Sequence, residues 1–348
     1  MYVVLVAHDF APSQGLSKLK DALESNGHTV TSFLGFGKNI TAPENTLAEH
    51  VRNADILVAG MSSSAELAVE EIHAAKIARD ANILFGFYSD IYGNFNRPWL
   101  RSLNAKTNFL FVINAQDAAE AKKSYGNQTC IVATGNPMWE DFTHPAHSRI
   151  LTRKLLGITS QQPVILVPGT KEFAININLF SAVTEAIARL GKKIEIYFSL
   201  HPGDQNDQKK YTNLTKDTIL THFLSHRAWS GSDLIPAADL VVASASTIGI
   251  EAAHQRIPVI NFYTNLSRKR LQEATGSSTW KPDELGASVM IYEDTAQLAR
   301  EITWLLTSKG ADQMRKKQER IYPFNKQRGE ATRKMMHELL AIVQKTAR

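Results

Sequence analysis

Short apolar runs alternate with amphipathic stretches along the whole chain. Runs rich in Val, Ile, Leu and Phe occupy residues 2–7, 29–34, 56–59, 83–87, 109–113 and 130–133. Each has strand length, and all but 29–34 are apolar at successive positions. Helical periodicity fills the intervals, most clearly over 66–79 and 115–124. Strands apolar on both faces and separated by helices predict a parallel sheet covered on both sides. The rhythm breaks at GNPMWEDF, residues 135–142, and at a polar stretch reaching 148. It restarts with strands at 164–167, 194–200, 218–221, 240–243, 259–262 and 288–291, and closes with helices at 296–306 and 329–345. The expected fold is α/β, with two Rossmann-like parallel-sheet domains facing across a cleft. The first covers 1–140, the second 141–325, and a terminal helix lies in 326–348. No solenoid repeat or low-complexity segment interrupts them.

Composition agrees with two ordinary cores. The chain has 348 residues, 43% hydrophobic and 21% charged, a globular profile with room for two apolar interiors. No apolar run reaches the roughly 20 residues that cross a bilayer. The start, MYVVLVAHDF, lacks a basic segment before its apolar run and reads as the first strand, so the expected location is cytoplasmic. The single cysteine, Cys130, excludes an intrachain disulfide and a multi-cysteine metal site, and its strand-like setting predicts a buried, inert thiol. Positive charge is local: residues 315–348 hold ten Lys or Arg and three Glu, more than the whole-chain net of +5. That excess suits a solvated helix face, a phosphate-bearing substrate, or peripheral contact with an anionic membrane at its inner face. Nucleic acid is not expected, because no aromatic-basic platform accompanies the charge.

The densest chemistry lies in AADLVVASASTIGIEAAHQRIPVINF, residues 237–262. It reads as strand, small-residue turn, helix and strand, one βαβ unit. The turn carries Ser244, Ser246 and Thr247 at a helix N-terminus, where unpaired N–H groups and the helix dipole attract a phosphate or diphosphate. Glu251, one turn further in, can accept two hydrogen bonds from a ribose diol. Ser and Thr at such a turn also serve as helix caps, so the pattern admits both readings. Two other strand ends add compatible groups: Gly169, Thr170 and Lys171 after 164–167, and His201 in HPGDQ after 194–200. Gly169 admits close backbone approach to an anion, Lys171 neutralises a diphosphate, and His201 can donate to a sugar or phosphate oxygen or simply shape its turn.

In the first domain, His8 and Asp9 end the first strand, followed by residues 11–15 and then a helix, and Asp90 ends the fourth. An inverting transfer needs a base for the attacking hydroxyl; Asp90 is the first candidate, His8 or Asp9 the second. The same side chains also suit capping and crossover roles. Ser62, Ser63 and Ser64 suit contact with an acceptor or capping of the helix through Glu66.

ATGNPMWEDF, VILVPGTKE, SLHPGDQ and ADLVVASASTIGIEAAHQRIPVI together resemble the nucleotide-sugar glycosyltransferases of GT-B architecture, and the UDP-N-acetylglucosamine 2-epimerases that share it. The resemblance covers the second domain and linker; the first domain matches by pattern. It implies that the turn of Ser244, Ser246 and Thr247 holds the diphosphate, that Glu251 binds the ribose, and that the terminal helix crosses back to the first domain. The epimerases carry a Gly-Thr-Arg-Pro-Glu-like loop after the first strand, whereas this chain reads Ala7-His8-Asp9-Phe10-Ala11-Pro12. A Gly-x-Ser-x-Gly elbow, a His-Glu-x-x-His helix and a dinucleotide glycine fingerprint after the first strand are absent from the sequence.

The function expected is transfer of a hexosyl or N-acetylhexosaminyl group from a nucleotide diphosphate donor, preferably a UDP-sugar, to a hydroxyl on a glycan or lipid-linked acceptor in cell-envelope or surface polysaccharide synthesis. Neither a metal nor a separate cofactor is expected, since Lys171 and the helix terminus can carry the leaving charge and the nucleotide-sugar is itself a substrate. The alternatives are a 2-epimerase-like enzyme and a noncatalytic nucleotide-sugar binder.

Overall fold

A computed structural model gives the architecture of the chain and describes residues 1–40, 44–158, 161–204, 206, 209–212, 220–224, 229–322 and 329–346. The chain divides into two compact units. The first comprises Met1–Glu140, Ala274–Gly276 and Asn325–Arg348, and the second Asp141–Glu273 and Ser277–Phe324.

The first unit is built on six parallel strands, β1 (Tyr2–Ala7), β2 (Thr29–Leu34), β3 (Ile56–Ala59), β4 (Leu84–Tyr88), β5 (Phe109–Val112) and β6 (Cys130–Ala133), in the order β2-β1-β3-β4-β5-β6. Alternation of side chains along β1 divides its apolar residues between two cores. Val4 and Val6 join Val51, Ala74 and Ala78 on one face, and Val3, Leu5 and Ala7 join Leu16, Leu19 and Leu23 on the other. Met335 and Leu339 of helix Glu330–Thr346 complete the second cluster. That helix is capped from a distance. Glu140 of the GNPMWEDF stretch accepts from Gly329 N at 2.8 Å and Ala331 N at 2.6 Å, a carboxylate on the positive end of the helix dipole.

The second unit carries β7 (Val164–Pro168), β8 (Glu195–Ser199), β9 (Leu220–Leu224), β10 (Leu240–Ala243), β11 (Val259–Tyr263) and β12 (Val289–Tyr292), all parallel, in the order β12-β11-β10-β7-β8-β9. Its core gathers Ile165, Val167, Ile196, Phe198, Leu240 and Val242 from the strands with Leu179, Phe180, Val183 and Ile187 from helix Phe173–Leu190.

Several local expectations change. Residues 11–15 lie inside helix Phe10–Ser25, because Pro12 falls in the first turn, where a missing N–H costs nothing. The helix expected from 66 starts at Val69, and its cap position is Ala68, so Ser62, Ser63 and Ser64 do not cap it. Strand β9 runs later than expected, and residues 218 and 219 lie outside the described set. Cys130 is exposed, because β6 is an edge strand. Helix Phe173–Leu190, with 18 residues and mean hydropathy 1.2, does have the length and composition of a bilayer span, and half of it is buried within its own unit. Helix Ser308–Ile321 went unanticipated, its polar surface leaving only Met314, Ala311, Gly310 and Gln318 buried.

Candidate functional site

In the second unit, β7 has β8 on one side and β10 on the other, so the chain leaves β7 in one direction and reaches β10 in the opposite one. At such a switch point the loops after the two central strands part and leave a crevice at the carboxyl edge. The sequence places its candidates there. Gly169 is buried beyond β7 and donates its N–H to Ser199 O at 2.8 Å. A Cβ at Gly169 would lie 3.3 Å from that same oxygen and 3.4 Å from the Asn176 amide, so close packing favours glycine. Thr170 is fixed by Asn176: Oδ1 accepts from Thr170 N at 2.6 Å and from its hydroxyl at 3.1 Å, while Nδ2 donates to Thr170 O at 2.9 Å. Lys171 is exposed. Its Cγ, and the His201 ring, would both meet a Cβ placed on Gly203, at 3.2 and 3.3 Å. The loops after β7 and β8 thus bring Lys171 and His201 together. Gly203 N donates to His201 Nδ1 at 2.9 Å, which in the neutral ring leaves the proton on Nε2 for donation.

The loop after β10 contains both chemistries allowed by the sequence. Ser246 is the N-cap of helix Thr247–His254, accepting from Ile248 N at 3.3 Å. Ser244 is buried, and its hydroxyl has no hydrogen-bond partner among the described residues. Thr247 is exposed in the first turn. Ala245 between them has φ 50°, the left-handed conformation that bends the turn. Glu251, 8% exposed, accepts from the Ser232 hydroxyl at 2.6 Å. Burial lifts its carboxyl to about 7, against the pull of the Ser232 hydrogen bond. Ser232 stands on the short helix Gly231–Leu234, closed by a reciprocal Ser230–Asp233 capping box.

The first unit has its own switch point, between β1 and β3. His8 is buried, and Asp9 beyond it donates its N–H to Ser62 Oγ at 3.0 Å and accepts from Ser63 N at 2.7 Å. His8 N donates to Glu71 Oε1 at 3.0 Å, and the Ser62 hydroxyl donates to the same oxygen. His8 Nδ1 is buried without a hydrogen-bond partner among the described residues and lies 3.7 Å from Asp9 Oδ1. Asp90 beyond β4 is 9% exposed; Asn94 donates to its carboxylate at 2.7 Å, and Asn136 donates to its backbone carbonyl at 2.6 Å. Burial raises the Asp90 carboxyl to about 6, the Arg97 guanidinium opposing and Asp9 adding to the rise. Arg97, itself buried, donates to Met61 O and lies in the fields of Asp90, Asp9 and Glu71. Burial also lifts Glu71, to about 7.

Five of these residues escaped the sequence reading: Glu71, Arg97, Asn136, Asn176 and Ser232. Two had a readable signal, since Glu71 and Asn176 are polar residues within apolar helical stripes, Glu71 with Ala74, Ala75 and Ala78, and Asn176 with Leu179, Phe180 and Val183. Among the described residues, no three His, Cys, Asp or Glu side chains gather as metal ligands.

Two six-stranded parallel sheets, each flanked by helices, define the α/β fold class shared by GT-B glycosyltransferases and UDP-N-acetylglucosamine 2-epimerases. The fold is similar to that of a putative UDP-N-acetylglucosamine 2-epimerase from Listeria monocytogenes, with TM-score 0.67 and 16% identity over 99% of this chain and 97% of that one. A glycosyltransferase from Rickettsia africae gives 0.63 and 16% over 98% of both chains. The UDP-GlcNAc 2-epimerase from Neisseria meningitidis, solved with UDP-GlcNAc bound, gives 0.63 and 14% over 98% of this chain and 100% of that one. At these identities the likeness is one of fold. In sequence, 194 residues are 30% identical to the UDP-N-acetylglucosamine--N-acetylmuramyl-(pentapeptide) pyrophosphoryl-undecaprenol N-acetylglucosamine transferase of Acetivibrio thermocellus, covering 54% of this chain and 50% of that protein. The chain thus spans about half the length of the curated relative it matches. No protein-family model matches it.

Proposed function

We propose that the protein is a glycosyltransferase that takes a hexosyl or N-acetylhexosaminyl group from a UDP-sugar and passes it to a hydroxyl on a glycan or lipid-linked acceptor in cell-envelope polysaccharide synthesis. The observation that carries the reading is the grouping at the β7–β10 switch point: a cation and an imidazole N–H from two strand-end loops, hydroxyls at a helix N-terminus, and the buried acid Glu251 one turn behind. The match to the Acetivibrio thermocellus N-acetylglucosamine transferase, and the UDP-GlcNAc held by the Neisseria meningitidis protein of like fold, support the donor class.

In this reading Ser244, Ser246 and Thr247, with Gly169, Thr170, Lys171 and His201, hold the diphosphate, and Glu251 holds the ribose. The acceptor oxygen bonds to the anomeric carbon as the bond to the diphosphate oxygen breaks. The electron pair leaves with the diphosphate, whose charge Lys171 and the helix N-terminus meet without a metal. Asp90 takes the acceptor proton; with its carboxyl near 6 it is mostly ionised at neutral pH. His8 and Asp9 are the second choice for that step. The proposed location is the cytoplasm, with peripheral contact at the inner membrane face.

A second reading, 2-epimerisation of a UDP-sugar, is favoured by one observation. Elimination and re-addition of the nucleotide need several acids near the sugar, and Asp9, Glu71 and Asp90 lie together in the field of Arg97. In this second reading Arg97 and Glu71 would stand in for the arginine and glutamate missing from the loop after β1. Titration of UDP, GDP, CDP, ADP and TDP against wild type and Glu251→Ala, with and without chelator, tests the donor site. Selective binding of one diphosphate, lost in the variant and indifferent to chelator, is expected. NMR of UDP-GlcNAc incubated without acceptor then separates the readings, since only epimerisation converts the sugar. Binding with neither reaction leaves a noncatalytic binder.

A further inference from the structure

The loop after β2 reads Gly35-Phe36-Gly37-Lys38 and is clamped onto the end of β1. Gly35 N donates to Ala7 O at 2.8 Å, Gly37 N to His8 O at 2.7 Å, and Phe36 N to the Ser13 hydroxyl at 3.2 Å. A Cβ at Gly35 would run into Lys38 O and lie 3.0 Å from His8 O, so the turn needs glycine there. Phe36 has φ 50°, a left-handed backbone that is costly for a bulky residue and that the surrounding hydrogen bonds enforce. Burial of the ring does not offset that cost. Phe36 is 40% exposed and Phe10 is 56% exposed, and their rings meet edge to face with 6.3 Å between centroids. Phe10 directly follows His8 and Asp9, so whatever covers the two rings lies beside candidates for the acceptor's proton. Neither ring has a hydroxyl or N–H to offer a glycan; what both present is hydrocarbon surface. The Lys38 side chain, exposed and without a hydrogen bond or ion pair among the described residues, adds a positive charge at the same turn.

We propose that Phe10 and Phe36 seat the hydrocarbon chain of a lipid-linked acceptor, with Lys38 at the phosphate that joins chain to sugar. The proposal rests on the reading of the first unit as the acceptor side of a glycosyltransferase, and it narrows the acceptor from a glycan or lipid-linked sugar to the lipid-linked class. The chain covers apolar surface that otherwise faces water. The enforced turn holds one ring out before the acceptor arrives, which leaves less ordering to the binding step. The ammonium meets the phosphate as a point charge.

Calorimetric titration with farnesyl phosphate, kept below the concentration at which it forms micelles, tests the site. Farnesyl phosphate is expected to bind, and geranyl phosphate, one isoprene unit shorter, to bind at least about tenfold more weakly. Phe36→Gly suits the left-handed backbone, so the melting temperature should hold while the affinity for farnesyl phosphate falls roughly tenfold or more. Phe10→Ser should act in the same direction, and Lys38→Gln should weaken binding and reduce its sensitivity to salt. No binding to wild type, equal affinity for the two chain lengths, or full affinity in Phe36→Gly overturns the proposal, and full affinity in Lys38→Gln overturns the placement of the phosphate. Titration of UDP is read separately. Farnesyl phosphate bound through the two rings, in a protein that takes no nucleoside diphosphate, leaves the lipid site standing and removes the donor site.

Discussion

Asn176 grips Thr170 from both sides, accepting from its amide and hydroxyl through one amide atom and donating to its carbonyl through the other. The same Nδ2 reaches Asp204 at 3.0 Å and the Tyr211 hydroxyl at 3.3 Å, joining the loops after β7 and β8. Asn176→Ala leaves several buried groups without partners, at a cost of ~1–3 kcal/mol in stability. We expect denaturant unfolding to report that loss. Isothermal titration is expected to show at least tenfold weaker UDP binding, because Thr170 and Lys171 lose their fixed loop. Unaltered UDP affinity in a folded variant removes the loop from the donor site.

Glu251→Ala is expected to weaken nucleotide diphosphate binding by ~1.5–3 kcal/mol, the range for hydrogen bonds to a charged group. Ser232→Ala should have a smaller effect in the same direction, since it releases one oxygen of the Glu251 carboxyl and leaves the acid in place. A Ser232 variant weaker than the Glu251 variant argues against the ribose role.

Asp90→Asn should abolish transfer and leave UDP affinity unchanged. With the wild-type carboxyl near 6, kcat/KM is expected to fall on the acid side of that value as Asp90 takes up a proton. A rate profile flat from about pH 5 to about 8 excludes Asp90 as the base.

Glu71 supplies a stability test independent of function. Burial raises its carboxyl from 4.5 to about 7, so between these values the folded protein holds a proton that the unfolded chain has released. Its contribution is therefore fully present below about 4.5 and is lost as the pH rises through about 7. Glu71→Gln imitates the protonated form. Relative to wild type it should be near neutral at pH ~4.5 and more stable by up to ~3 kcal/mol at pH ~8. Chemical denaturation of both proteins across that range measures the difference; a difference independent of pH refutes the raised carboxyl.

Gly86→Ala tests the packing of the first sheet. An added Cβ would lie within 2.6 Å of two Phe109 ring atoms and meet the backbone oxygen of Phe109 on the neighbouring strand. Overpacking of this kind costs ~1–3 kcal/mol. Thermal unfolding should show it, whereas a variant as stable as wild type would mean that β4 and β5 can move apart freely.

The strands were readable because a parallel sheet buried on both faces leaves an unbroken apolar run, as in Val3–Ala7, where every side chain is inaccessible. Helix starts were less so, since Pro12 looks like a breaker until its place in the first turn is known. The groups after β1, β4, β7, β8 and β10 could be listed from sequence because strand ends are where such folds place chemistry. Their partners could not. Ser62 and Glu71 meet across nine residues, His8 and Glu71 across 63, and Asn176 and Asp204 across 28. Only the three-dimensional path of the chain makes them neighbours. The GNPMWEDF stretch illustrates the difference: it was visible as a motif, but its work, Asn136 holding the Asp90 carbonyl and Glu140 capping a helix nearly 200 residues away, was not.

The helix capped by Glu140 has a consequence for biosynthesis. Leu16, Leu19 and Leu23 are made before the second unit, yet Met335 and Leu339, which cover them, are made after it. The first unit must therefore wait with part of its core uncovered while its later-made neighbour can already fold, a reversal of the usual order in which domains mature during synthesis. During that interval the exposed leucines are open to chaperones, and helix Glu330–Thr346 acts as the closing step for the core of the first unit.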